Sequence, residues 1–193
     1  NEFIESYFPL RIERYETIPD SGGAGLHRGG NGLSVAYRFL ANGEVGIHDE
    51  RWLTYPWGVL GGETGQRSTK RLVRADGSEE WLPAKVEGVK VKVGDVLYFN
   101  TWGGGGWGDP FARDPELVRQ DVERGLVSAS GARRYGVVMT DEGTVDDVRA
   151  QLSGARSEIA LFNRGGSIEE LKNRCKGETH LEAPVSPSFT ASA

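Results

Sequence analysis

The sequence predicts an α+β fold: mainly β with glycine-rich loops through its first two-thirds, then short helices and a mobile tail. Three observations predict it. Apolar and polar residues alternate with the period of a half-buried strand in several stretches before residue 102. Of the 28 glycines, 15 cluster at Gly22 to Gly32, Gly58 to Gly65 and Gly103 to Gly108, each cluster between apolar stretches, as shaped turns of a β-rich domain would be. After residue 110 the pattern changes to helical spacing and helix-start signals.

The elements follow in order. Phe8 to Tyr15 alternates apolar with charged residues and reads as a strand, as does Leu33 to Leu40, with Leu33, Val35, Tyr37 and Phe39 on one face. The segment between them, Pro19 to Gly32, is too long for a tight hairpin and predicts a loop of specific shape. Val45 to His48 and Trp52 to Tyr55 are short candidate strands. Lys70 to Arg74 and Glu79 to Ala84 form a hairpin through Asp76-Gly77, a strong turn pair. Val89 to Val93 and Val96 to Thr101 are strands on either side of Gly94-Asp95.

A helix starts at Asp114-Pro115, cap and first-turn proline, and its stripe of Leu117, Val118, Val122 and Leu126 ends near Gly125. Ser128 to Arg134 is one further turn before a strand, Tyr135 to Met139. Thr144 to about Leu152 reads as a helix, and Ser157 to Cys175 as a weak helix broken at Gly165-Gly166. From Gly177 the chain is rich in Pro, Ser, Thr and Ala, which predicts a mobile tail over 177–193. The chain thus divides into a main unit over 1–140, a helical appendage over 141–176 and the tail. It opens at Asn1 and enters an apparent strand within a few residues, which predicts a processed product or the C-terminal piece of a longer chain.

Composition bounds the function. A net charge of -5 argues against nucleic acid and against an anionic membrane surface, since both want a basic face. No apolar run approaches the ~20 residues that span a bilayer. The single Cys175 excludes an internal disulfide and fits a reducing cytoplasm.

The run Gly103, Gly104, Gly105, Gly106, Trp107, Gly108, Asp109, Pro110 is the foremost candidate for function. It lacks a Gly-Lys-Ser/Thr ending and leads into no βαβ unit, so phosphate binding is disfavoured. Two readings stay open: a tight crossover packed against a partner, or a wall of a substrate channel. Either uses glycine for positive φ or for close approach of another backbone or a ligand. Gly22, Gly23, Gly25, Gly29 and Gly30 belong to a second such loop. In it His27 and Arg28 are weak catalytic candidates: Arg28 either grips a carboxylate or phosphate, or pairs with Asp20 to pin the loop. Asp109 either caps the following turn or faces the channel.

Other candidates are weaker. His48-Asp49-Glu50 lacks the paired spacing of a metal site, and no metal site is expected on this chain. His180 falls in the tail, and Cys175 has no His or Asn signature of a nucleophile. Trp52, Tyr55, Trp57, Trp102 and Trp107 flank the glycine loops, where they either pack over glycine or meet another subunit.

Three stretches, the third with a continuation, carry a family resemblance. They are Tyr7 to Tyr15; Asp20 to Gly25 with Arg28-Gly29-Gly30 and Gly32; and Gly103 to Pro110, continued by Asp121-Val122, Gly125 to Ser128, Ala132 and Tyr135-Gly136-Val137. Over roughly residues 5 to 140 the chain resembles the C-terminal part of the hydantoinase B family, which includes 5-oxoprolinase B, caprolactamase and the large subunits of acetone and acetophenone carboxylases. The resemblance implies ATP-dependent hydrolysis of a cyclic amide, with ketone carboxylation or a non-catalytic structural role as alternatives. It also implies partners: an A-type ATP-binding subunit and the N-terminal part of a B-type subunit. ATP with Mg, and a divalent metal in members that use one, would sit on those partner chains, and this chain alone would bind no cofactor.

Overall fold

In the computed structural model, residues 2–140, 143, 145–149 and 160–184 are described. The chain begins with a short helix, α1 (Glu2–Tyr7), ahead of the first strand, β1 (Leu10–Thr17). Strands β2 (Leu33–Phe39), β3 (Gly43–His48), β4 (Gly58–Val59), β5 (Thr69–Val73), β6 (Glu79–Trp81), β7 (Lys85–Val91) and β8 (Val96–Asn100) follow. After the third glycine loop come a 3-10 turn (Pro110–Ala112), α2 (Pro115–Glu123), a second 3-10 turn (Gly131–Tyr135), β9 (Val137–Met139), β10 (Val145–Asp147), β11 (Phe162–Asn163) and α3 (Ile168–Thr179). The expected α+β class, mainly β at first and helical later, is what the chain adopts. Among the described residues no helix is long and apolar enough to cross a membrane.

Five strands form one antiparallel sheet in the order β1-β2-β8-β5-β6. A second sheet, β3-β7, covers one of its faces. Phe39, Leu72 and Leu97 from the large sheet meet Ile47 and Val91 from the small one, with Leu82 closing the side. Strand alternation explains this: Tyr37 and Phe39 on β2 and Leu97 and Phe99 on β8 point the same way. The β5–β6 hairpin turns at Gly77, whose φ of 85° needs a residue without a Cβ, while Asp76 accepts from the Ser78 amide at 2.9 Å. At the floor of this half, buried Lys70 contacts Asp49, and its Nζ lies 3.1 Å from the Ser68 hydroxyl. Burial pulls the Lys70 ammonium down to about 8.

A second, smaller core joins Ala24 of the first glycine loop to Val118 of α2, Val127, Ala132, Tyr135 and Val137. The Asp114 side chain caps α2 by accepting from the Glu116 amide at 2.9 Å, with Pro115 in the first turn, as the sequence signals.

Several expectations need correction. Trp52 to Tyr55 forms no strand: the chain bends there, with Arg51 at φ 57° and Trp52 buried. The first part of the helix predicted from Thr144 is replaced by β10, which pairs with β9 through Val145–Met139 and Asp147–Val137; a non-local ladder overrides a local helix signal over Val145–Asp147, while Arg149 is helical and Thr144 lies outside the described residues. Residues 150–152 of that prediction lie outside the described residues. Residues 157–159 of the later prediction lie outside the described residues; from 160 on, the helix begins only after Gly165 and Gly166, both at positive φ. Ser167 and Glu170 close a capping box at its start, and it runs on to Thr179, with His180 in the left-handed region as its cap. The expected tail therefore starts inside α3, and 185–193 lie outside the described residues. α3 and β11 return to the main unit: β11 pairs with β4, Arg174 donates to the Tyr55 hydroxyl at 2.8 Å, and Glu178 pairs with Arg67.

Candidate functional site

The three glycine loops, 20–32, 56–66 and 102–108, meet in one backbone bundle. Gly104 lies between two passes of the first loop: its carbonyl accepts from the Gly23 amide and its amide donates to the Gly30 carbonyl, both at 2.8 Å. Gly106 stands between the other two loops, donating to the Glu63 carbonyl at 2.8 Å and accepting from the Val59 amide at 3.0 Å. Glu63 in turn donates to Ala24 at 2.7 Å, and Gly103 donates to Gln66 at 3.0 Å. His27 and Trp107 exchange both backbone bonds, at 3.0 and 2.9 Å, and their ring centres lie 5.4 Å apart. Strands so close leave no room for side chains, which is why the sequence concentrates glycine here.

Of the two routes expected at Gly105, close approach is the one used. Gly105 is not in the left-handed region, and an added Cβ would stand 1.8 Å from the Trp57 carbonyl oxygen. Gly108, at φ 75°, is the glycine of this run that uses positive φ. Gly22, Gly23, Gly25, Gly29, Gly103 and Gly106 likewise face backbone of the same chain, whereas Gly30 has no atom within 4 Å of where a Cβ would sit. The backbone that packs on the run thus comes from this chain's own loops.

Beneath the bundle lies a buried polar cluster. The Asp121 carboxylate on α2 accepts from Arg113 at 2.8 Å and pairs with Arg28 Nε at 3.4 Å. Arg28 also donates to the Gly29 carbonyl at 2.8 Å and to Asn31 Oδ1 at 2.9 Å, and Arg113 donates to the Leu26 carbonyl at 3.0 Å. The alternative in which Arg28 pins its loop holds, but the carboxylate is Asp121 and not Asp20. Asp20, at φ 63°, accepts instead from the Ser128 amide at 3.0 Å and lends its carbonyl to Arg134. Arg134 also grips Glu63 of the second loop at 2.7 Å. The Tyr135 hydroxyl is buried among these groups; desolvation pushes it up to about 12, against the pull of Arg134, Arg28 and Arg113.

Asp109 caps the first 3-10 turn, accepting from the Phe111 amide at 2.8 Å. His48 pairs with Glu87 on the surface, away from the bundle. Cys175 is fully buried in α3, and burial pushes its thiol up. Among the described residues no three His, Cys, Asp or Glu side chains are grouped to hold a metal.

Sequence reasoning singled out the glycines, His27 and Arg28 loop by loop, but did not foresee that the loops meet and missed Arg113, Asp121, Arg134 and Tyr135 as their support. The signal was present: Asp121-Val122 and Tyr135-Gly136-Val137 stand in the continuation of the third resemblance stretch.

Three proteins resemble this chain in sequence or in overall fold. The B-type subunit of a putative D-/L-hydantoinase from Pseudomonas sp. (strain NS671) is 32% identical over 147 residues, covering 75% of this chain and 25% of that protein. The beta chain of the caprolactamase from Pseudomonas jessenii is 35% identical over 153 residues, covering 76% of this chain and 26% of that protein. The crystal structure of the ATP-dependent caprolactamase from that organism superposes with a TM-score of 0.67 at 31% identity, over 80% of this chain and 28% of the other. A nucleotide-free acetone carboxylase superposes with a TM-score of 0.65 over 92% of this chain and 28% of the other; at 18% identity it shows the fold alone. The chain spans about a quarter of the length of these two curated relatives, and about a tenth or less of the 5-oxoprolinases it also matches. With residues 1–110 matching the model of the hydantoinase B/oxoprolinase family, a range that holds all three glycine loops, the chain belongs to that family.

Proposed function

We propose that this chain is the C-terminal part of a hydantoinase B-type subunit, in a cytoplasmic enzyme that hydrolyses a cyclic amide such as a hydantoin, a lactam or 5-oxoproline. The reaction is ATP-dependent. ATP and Mg, with a divalent metal if the enzyme uses one, sit on partner chains: an A-type ATP-binding subunit and the N-terminal part of the B-type subunit. The observation that carries this reading is the family match over residues 1–110, which takes in the whole glycine bundle. The relation to the ATP-dependent caprolactamase, in sequence and in fold, supports the cyclic-amide class. In this reading the bundle is the rigid frame of the region, and its exposed rim, His27 and Trp107, faces the remainder of the enzyme.

Reconstitution tests it. The chain, the N-terminal part of a B-type subunit and an A-type subunit are combined and assayed with hydantoin, caprolactam and 5-oxoproline. ATP-dependent ring opening that needs all three components is expected. Turnover by the chain alone, or micromolar Mg-ATP binding to it in calorimetry, contradicts the assignment. ATP-dependent carboxylation of acetone with bicarbonate, without amide hydrolysis, would move the chain to the carboxylase branch.

A further inference from the structure

The outward face of the five-stranded sheet carries polar groups that the glycine bundle does not use. Strand register places Arg14, Ala36, Tyr98, Arg71 and Trp81 in one row across all five strands. Ser34, Asn100 and Thr69 form the neighbouring row on the same face. Long side chains beside short ones leave a depression of about 280 Å³, floored by the short row and walled by the long one. Asn100 donates to the Thr69 hydroxyl at 3.3 Å, which ties the floor together.

The walls are arranged for anions. The Arg71 guanidinium lies 5.3 Å from the Tyr98 ring centre and 5.9 Å from that of Trp81, and Arg14 lies 5.9 Å from Tyr98 on the same row. A guanidinium stacked on a ring spends its face there and keeps its N–H edge for in-plane bonds to a carboxylate. Those edges now meet carboxylates of the same chain: Arg71 pairs with Glu79 at 2.9 Å and Arg14 with Glu16 at 3.3 Å. All four side chains are more than a third exposed, and such pairs are worth about 0–1 kcal/mol, so a ligand can displace them. Sharing one ring also keeps the two guanidinium carbons within about 11 Å of each other, a gap that a short dicarboxylate bridges.

We propose that this depression binds a small dicarboxylate of four or five carbons. Arg71 and Arg14 each hold one carboxylate, the Ser34 and Thr69 hydroxyls line the floor, and Glu79 and Glu16 are the internal competitors that occupy the forks when the ligand is absent.

Glutarate is the probe, titrated into the 193-residue chain by calorimetry and by the indole N–H signal of Trp81, which is assigned by its loss in Trp81→Phe. Saturable binding is expected, weakened at least about tenfold in both Arg71→Gln and Arg14→Gln and tightened several-fold in Glu79→Gln, with unchanged melting temperatures. Affinity for acetate or inorganic phosphate equal to that for glutarate would overturn the two-fork site, because one carboxylate or any anion would then suffice. Absence of a saturable shift up to about 50 mM glutarate would overturn it outright, as would a Glu79→Gln chain that binds no tighter.

Discussion

In the two-sheet half, Phe39, Leu72, Leu97 and Ile47 bury side chains between sheets, and stability there follows apolar area removed from water. In the glycine bundle, Gly23, Gly104, Gly106 and Glu63 are joined backbone to backbone, and almost no side chain lies between them. Its rigidity comes from hydrogen bonds and close contact, and from polar clamps at its edge: Asp121 on Arg28, and Arg134 on Glu63. The two halves therefore fail differently. A sheet core loses energy when atoms are removed, whereas the bundle loses it when atoms are added.

Substitutions on each side put that contrast at risk. The largest effect is expected from Gly105→Val, whose branched side chain would enter the Trp57–Gly58 backbone. Overpacking usually costs about 1–3 kcal/mol, and more where the obstacle is backbone that cannot swing aside. The variant should lose its cooperative urea transition; a wild-type melt would show the bundle to be a loose connector. Asp121→Ala removes the buried carboxylate shared by Arg28 and Arg113 and leaves two half-buried cations without it, at a cost of about 3 kcal/mol, the low end for a fully buried pair. Denaturant titration measures the loss, and a change below about 1 kcal/mol would mean that the clamp contributes little.

Leu72→Ala probes the other half. It should cost about 2–5 kcal/mol by leaving a cavity, and hydrogen exchange should quicken in β2, β5 and β8 before it does in the glycine loops. Equal quickening in both halves would show one cooperative core. Asp109→Ala should be the mildest of these, at about 1 kcal/mol for a lost cap, with a thermal shift to match.

Local signals in the sequence carried far. Alternation located β1 and β2, the Gly94-Asp95 turn set off β8, Asp76-Gly77 located the hairpin, and Asp114-Pro115 the start of α2. What failed was non-local. Nothing near Thr144 announces that Val145 pairs with Met139, and the nearest acid to Arg28 in the first loop, Asp20, is not the one that the fold brings to it. The glycine clusters were plain to see, yet their mutual packing depends on bringing together loops some 80 residues apart, as in the bond from Gly23 to Gly104. At Gly105, composition could not separate positive φ from close approach, because both require the same residue.

Adjacent glycines supply the most direct test of backbone packing as the source of the bundle's stability. A Cβ at Gly29 would stand 2.1 Å from the Gly104 carbonyl oxygen, whereas one at Gly30 would meet nothing within 4 Å. The measurement is the difference in unfolding free energy between Gly29→Ala and Gly30→Ala. Backbone packing predicts that Gly30→Ala stays within about 0.5 kcal/mol of the parent chain while Gly29→Ala loses at least about 2 kcal/mol. Equal stabilities for the two variants would contradict it.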